Sequence, residues 1–251
     1  MEPVRREVRV CPDRETLTRA AAQGLSAFLC ESVARRGRCT VALSGGRTPR
    51  RLYELLGEDP RIPWPQIELF WGDERYVPSG DPRSNAQMAR EALVERIAIP
   101  PENVHPMPTH FGDPEDAGWA YEATLRRVLG RWSRFDLVLL GMGSDGHIAS
   151  LFPESPAVLE PDRWVVAVRV EADPPVRLTL TLPVINRARR VDILVTGAEK
   201  REALRRALWG PRDPVRCPAS GVHPRHGTVV WWVDRAATEG LEPRKAPPAG
   251  R

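Results

Sequence analysis

Lysine is nearly absent from this chain: of its 37 basic residues only Lys200 and Lys245 are lysine, and the rest are arginine. Cysteine is also scarce. Cys11, Cys30, Cys39 and Cys217 are scattered with no C-x-x-C pair, which argues against a disulfide framework and a thiolate zinc site and predicts reduced, mostly buried thiols. No apolar run approaches the ~18 to 20 residues that a helical membrane span needs. The first residues, Met1 to Glu7, show no apolar stretch leading to a small-residue cleavage site, so no signal peptide and a cytoplasmic location are expected. There is no internal repeat and no interdomain linker. A net charge of +4 admits nucleic acid or an anionic small molecule as partner, but no aromatic-interleaved basic stripe accompanies the arginines. Small groups such as Arg187, Arg189 and Arg190 read as solvated faces, and no nucleic-acid partner is expected.

What is present is enough apolar material for a large core, 41% of 251 residues, arranged in alternating strand and helix patterns. A strand at 7–11 is followed by Asp13, a good N-cap, and by apolar residues at helical spacing from Leu17 to Leu29. The order repeats with a buried strand at 39–43, a glycine-rich turn, and a helix opened by Thr48-Pro49 and ended near Gly57. Further strands are predicted at 67–71, 135–141, 164–170, 178–182, 191–196 and 228–233, with helices at 84–97, 114–132, 198–208 and 234–238. Several strands are continuous apolar runs, as central parallel strands are. The alternation predicts an α/β fold, a Rossmann-like doubly wound, mostly parallel sheet with helices on both faces. Residues 1–238 read as one domain and 239–251 as a disordered tail.

In such sheets ligands bind beyond the carboxyl ends of the strands, and three of those loops carry unusual residues. Ser44-Gly45-Gly46-Arg47-Thr48 places two glycines and two hydroxyls between a buried strand and a helix N-terminus. Converging backbone N–H groups and the helix dipole suit a phosphate there, although a tight strand-to-helix turn would use glycine too. In Trp71-Gly72-Asp73-Glu74-Arg75, two carboxylates beside an arginine suit sugar hydroxyls, or equally a surface ion pair with Ser84 as an N-cap. Gly141-Met142-Gly143-Ser144-Asp145-Gly146-His147 lets backbone approach a ligand and puts Asp145 and His147 on either side of a glycine. Histidine titrates near neutrality and suits a general base. The G-x-G-x-x-G string inside this loop is weak evidence for a dinucleotide, because it ends at His147 instead of entering a long helix. Lys200 follows the strand at 191–196 in the first turn of a helix, where a cation opposes the dipole unless it faces an anion; a solvated lysine is the plain alternative.

Together these segments resemble the glucosamine-6-phosphate isomerase/6-phosphogluconolactonase family, on the lactonase side. The matching stretches are residues 42–49, 70–78 with Asp81, Ser84 and Asn85, 140–153, 177–183, 197–200 and 218–231, in the family's order over about residues 5–238. The resemblance implies a phosphorylated sugar lactone as substrate and no cofactor. It gives His147 the general-base role, Arg75 the oxyanion or substrate-orienting role, and the Ser44 to Thr48 loop with Lys200 the phosphate cradle. Asp73 and Asp145 fall at pocket-lining positions and Arg177 at a basic one. Arg47 stands where many relatives have serine, and adds a phosphate contact only if it turns inward. The deaminases of the family carry a glutamate five residues after the histidine; here that position is Phe152, which cannot titrate. The rivals are such a deaminase or isomerase, and a non-catalytic sugar-phosphate-binding domain. His223 and His226 are the one close ligand pair, so no metal site is expected, and the chain is expected to be a monomer.

Overall fold

Strand β2 (Cys39–Leu43) is buried at every position, which a strand achieves only with neighbours on both edges and cover on both faces. In the computed structural model, which describes residues 5–130 and 134–241, it lies within a seven-stranded parallel sheet. The other strands are β1 (Arg5–Cys11), β3 (Ile67–Trp71), β5 (Val104–His105), β6 (Leu137–Gly141), β9 (Arg190–Val195) and β10 (Thr228–Asp234). Their spatial order is β1-β10-β9-β6-β2-β3-β5, and every adjacent pair is parallel.

Helices α1 (Arg14–Arg36), α2 (Arg47–Gly57), α3 (Asn85–Ala92) and α4 (Pro114–Leu129) connect the strands of the first half. Helix α1 starts where Asp13 accepts a hydrogen bond from the Thr16 N–H, and α4 starts where Asp113 does so from Glu115. Helix α3 is shorter than the predicted 84–97: Leu93 leaves helical geometry at φ −135° with its side chain buried, and a 3₁₀ turn follows at Val94–Arg96. The predicted helix at 114–132 is described to Leu129, and residues 131 and 132 lie outside the described residues.

The sequence pattern did not separate out a second sheet. Strands β4 (Asp73–Arg75), β7 (Val165–Arg169) and β8 (Val176–Leu180) form a three-stranded antiparallel sheet in the order β4-β8-β7. Residues 170–175, between β7 and β8, are too few for the dozen or so that a parallel crossover takes, so these two strands pair antiparallel. Gly72 is the junction: its N–H donates to Leu43 O at 2.7 Å and its carbonyl accepts from Leu180 N at 2.8 Å. Helices α5 (Leu182–Ile185), α6 (Arg201–Trp209) and α7 (Arg235–Thr238) follow among the described residues. Of the predicted tail, Leu241 packs against the core, and residues 242–251, Lys245 among them, lie outside the described residues. Cys11, Cys39 and Cys217 are buried, Cys30 is half-buried, and all four are free thiols.

Beyond β2 the chain steps outward to β3 and β5; from β6 it steps the other way to β9 and β10, with the N-terminal β1 at the edge beyond β10. The switch point therefore lies between β2 and β6, and a crevice opens beyond their carboxyl ends.

Candidate active site

That crevice is a cleft of about 290 Å³, and it gathers loops that are far apart in sequence. Ser44, Gly45, Gly46, Arg47 and Thr48 come from the end of β2, Asp73 and Arg75 from β4, His147 from the loop after β6, Arg177 from β8 and Lys200 from the turn after β9. Arg14, Asn85, Thr196 and Glu199 line it as well. Five cationic side chains thus face two carboxylates, Asp73 and Glu199, which gives the cleft a surplus of positive charge.

The β2 loop is held by Tyr53 of α2, whose hydroxyl accepts from Ser44 N at 2.8 Å and donates to Ser44 O at 2.7 Å. Tyr53 is wholly buried, so this clamp fixes the loop on the core. Ser44 Oγ, also buried, has no hydrogen-bond partner among the described residues. Gly46 caps α2 with no side-chain hydrogen bond, leaving the first N–H groups of the helix without a capping side chain where Gly46, Arg47 and Thr48 line the cleft. Thr48 Oγ1 lies 3.2 Å from Thr196 Oγ1, joining the β2 and β9 ends. Gly45 is required by close approach: a Cβ there would stand 1.9 Å from Asn85 Oδ1. The Asn85 amide reaches on to Asp73, donating to its carbonyl at 2.9 Å and to Oδ1 at 3.2 Å, while Ser150 Oγ donates to Asp73 Oδ2 at 2.7 Å.

Strand alternation resolves the two acids beside Arg75. Asp73 and Arg75 face the cleft, whereas Glu74 points the other way and serves as an anchor for the start of α3. Ser84 is the α3 N-cap as well, accepting from Gln87 N. Arg75 Nη1 donates to Arg83 O at 2.5 Å, and its Nε is buried without a partner.

His147 is placed by the glycine loop. Its Nδ1 lies 2.7 Å from Asp145 Oδ1, which also accepts the His147 backbone N–H at 3.0 Å. Burial raises the Asp145 pKa, but the hydrogen bonds and charge of His147 outweigh it and hold the carboxyl at about 2. Gly143 makes room for the pair, since a Cβ there would lie 2.1 Å from His147 Nδ1. The imidazole stacks on Phe152 with centroids 4.3 Å apart, and the Arg177 guanidinium lies 5.7 Å from the centre of the same ring. Asp145 does not itself line the cleft; it stands behind the histidine, hydrogen-bonded to it.

A family profile described as glucosamine-6-phosphate isomerases/6-phosphogluconolactonase matches residues 12–231. The chain belongs to that family. Among its relatives, the 6-phosphogluconolactonase of Synechocystis sp. is 43% identical over 241 residues, covering 94% of this chain and 99% of the relative. That of Mycobacterium tuberculosis is 42% identical over 243 residues, covering 93% and 98%. The crystal structure of 6-phosphogluconolactonase from Thermotoga maritima superposes with a TM-score of 0.81 at 32% identity, covering 92% of this chain and 100% of that one. A monomeric glucosamine-6-phosphate deaminase shares the fold, with a TM-score of 0.79 at 23% identity.

In this family member every cleft residue expected from the sequence lines the cleft, Arg47 included, apart from Asp145. Sequence reasoning missed Arg14, Thr196 and Glu199. Each follows the carboxyl end of a parallel strand, β1 or β9, and the rule that pointed to the other three loops would have found them.

Proposed function

We propose that this chain hydrolyses 6-phospho-D-glucono-1,5-lactone to 6-phosphogluconate, the lactone-opening step of the oxidative pentose phosphate pathway, with His147 as general base. The observation that carries the reading is the His147–Asp145 pair in a cleft walled by five cations. With Nδ1 occupied by the ionised Asp145 carboxylate, the tautomer that donates from Nδ1 leaves Nε2 a lone pair for a water proton. The water oxygen adds to the lactone carbonyl carbon as its proton passes to Nε2. Arg75 holds the oxyanion that forms, a contribution of typically ~3 to 4 kcal/mol per donor. Collapse breaks the bond from the carbonyl carbon to the ring oxygen, and the imidazolium returns its proton to the departing alkoxide. Lys200, Arg47 and the 44–48 loop grip the distal phosphate, and Asp73 and Arg177 orient the ring. The reaction so written calls on no cofactor or metal.

The enzyme acts as a soluble cytoplasmic monomer in this reading; no helix among the described residues is long and apolar enough to cross a membrane. A deaminase needs further acid/base groups for ring opening, and the position five after His147 holds Phe152, stacked on the imidazole. Proton release from freshly generated lactone, followed above the spontaneous rate for wild type and His147→Ala, tests the proposal. A fast wild type and a near-background variant support it. No excess rate in the wild type, with 6-phosphogluconate still bound, turns the reading toward a non-catalytic sugar-phosphate binder.

A further inference from the structure

At the opposite end of the sheet, the amino ends of β2, β6 and β9 surround a second cavity of about 440 Å³, lined by Arg36, Arg38, Thr40, Leu129, Arg134, Asp136 and Arg189. Strands of five or six residues at ~3.3 Å each separate it from the catalytic cleft. Four guanidinium groups share one carboxylate, and that carboxylate is saturated. Asp136 Oδ1 takes Arg36 Nε and Arg189 Nε, each at 3.0 Å, and Oδ2 takes Thr40 N at 2.9 Å and Thr40 Oγ1 at 3.1 Å. A carboxylate has about four lone-pair sites, so nothing remains for Arg38 or Arg134. Neither makes an ion pair among the described residues, and Arg134 Nε is buried with no hydrogen-bond partner. Burial, then the charge of Arg189, lowers the Arg134 pKa, with Arg36 adding to it.

Several arginines elsewhere on the surface are matched by acids: Arg51 meets Glu15 and Glu54, Arg83 meets Asp81 and Asp173, and Arg205 meets Glu202. The cluster around Asp136 is different because its surplus charge encloses a concave space. We propose that this cavity is a second anion site, taking the phosphoryl group of free phosphate or of a small phosphate ester. Guanidinium forks match phosphoryl oxygens in geometry, and a dianion would balance most of the surplus charge. A concave site enclosed by side chains fits a small ligand better than the face of an acidic protein. The anion would also bridge β2 and β6, which Asp136 and Thr40 already cross-link and whose other ends carry the two catalytic loops.

The test is calorimetric titration with inorganic phosphate, at ionic strength fixed with sodium chloride, for wild type, Arg38→Gln, Arg134→Gln and Lys200→Gln. The expected result is a binding component weakened tenfold or more in Arg38→Gln and Arg134→Gln, retained in Lys200→Gln, with lactone hydrolysis by the two distal variants unchanged. Arg38 is exposed, so its variant keeps the test readable should Arg134→Gln fold poorly. Isotherms of Arg38→Gln and Arg134→Gln that match the wild type overturn the proposal, as does loss of all phosphate binding in Lys200→Gln. A parallel titration with glycerol 3-phosphate separates the sources: a tighter distal component identifies an ester, and an equal or weaker one the free ion. Phosphate binding is read without turnover, so the outcome stands apart from that of the lactonase reading.

Discussion

Arg75 and Arg177 stand directly opposite each other across the antiparallel pair of β4 and β8, and both line the catalytic cleft. Like charges in that relation destabilise a sheet. Burial, and after it the Arg75 charge, pushes the Arg177 pKa down. The arrangement makes sense as a receptor held ready for negative charge, fixed in advance by the strands instead of assembled by the substrate.

The two arginines are therefore expected to fail differently. Arg75→Ala should lower kcat/KM by about a hundredfold or more, mainly through kcat, as loss of an oxyanion donor does. Arg177→Gln should act chiefly on KM, by about tenfold, since it orients the ground state as well as the transition state. Steady-state kinetics on fresh lactone separate the two. Equal effects on kcat from both would mean that they act as one oxyanion clamp.

Asp145 should matter through the imidazole alone. Held at about 2 in the folded protein, it stays ionised across the working range, and its contribution to stability is present above the unfolded carboxyl value and lost as pH falls through that depressed value. It therefore adds no limb to the rate profile near neutrality. Asp145→Asn should lower kcat by about ten- to a hundredfold with KM near wild type, because the imidazolium loses its counter-charge. A large rise in KM would place Asp145 against the substrate instead.

Gly143→Ala tests the loop geometry without removing a charged group. The added methyl would fall 2.1 Å from His147 Nδ1 and 2.4 Å from Asp145 Oδ1, so the pair must separate. Activity is expected to drop by about a hundredfold or more, as small displacements of catalytic groups do. Gly143 is buried, so thermal unfolding is expected to move down as well, and activity is compared at a temperature where the variant is folded. A variant with full activity would show that the loop relaxes without cost to the pair.

The central strands were legible because continuous apolar runs have few alternatives: β2 and β3 fall on the predicted residues. The three loops were legible because glycine, hydroxyl and charged residues there serve no core. Strand β4 was not, since Asp73-Glu74-Arg75 has no apolar alternation and is a strand only through its pairing with β8. The two residues after it that matter most, Ser84 and Asn85, are fixed by contacts to Glu74 and Asp73 ten or more positions back, which no local pattern reports. The pairing of Phe152 with His147 and Arg177 is likewise a product of the fold.

Phe152→Glu asks what the residue at the deaminase position does here. A carboxylate in place of the stacked ring would sit beside both His147 and Arg177 and compete with Asp145 for the imidazole. Lactone hydrolysis should fall by about tenfold or more, as expected when a general base is misoriented, and Phe152→Tyr should retain most activity because the stack survives. Undiminished hydrolysis by Phe152→Glu would mean that the stack does not orient the base.

Glu74 supports the site from behind, and its effect should depend on pH. Its Oε1 accepts from Arg75 N and Asn85 N, each at 2.7 Å, and its Oε2 from Ala86 N at 2.7 Å and Ser84 Oγ at 2.9 Å. Burial nonetheless raises its pKa, outweighing the donors that lower it. A carboxyl whose folded value lies above the unfolded one, ~4.3, binds its proton more tightly when native. Its titration contributes stability fully present below the unfolded value and lost as pH rises through the folded one. Glu74→Gln cannot titrate and turns a donor toward buried N–H groups, so it should destabilise the protein by about 1 to 3 kcal/mol. The gap to wild type should be widest near pH ~4 and narrower by pH ~7. Urea unfolding at those two values and one between checks the sign, and a gap that widens toward neutrality would show that the four donors, not burial, set the charge state at the root of α3.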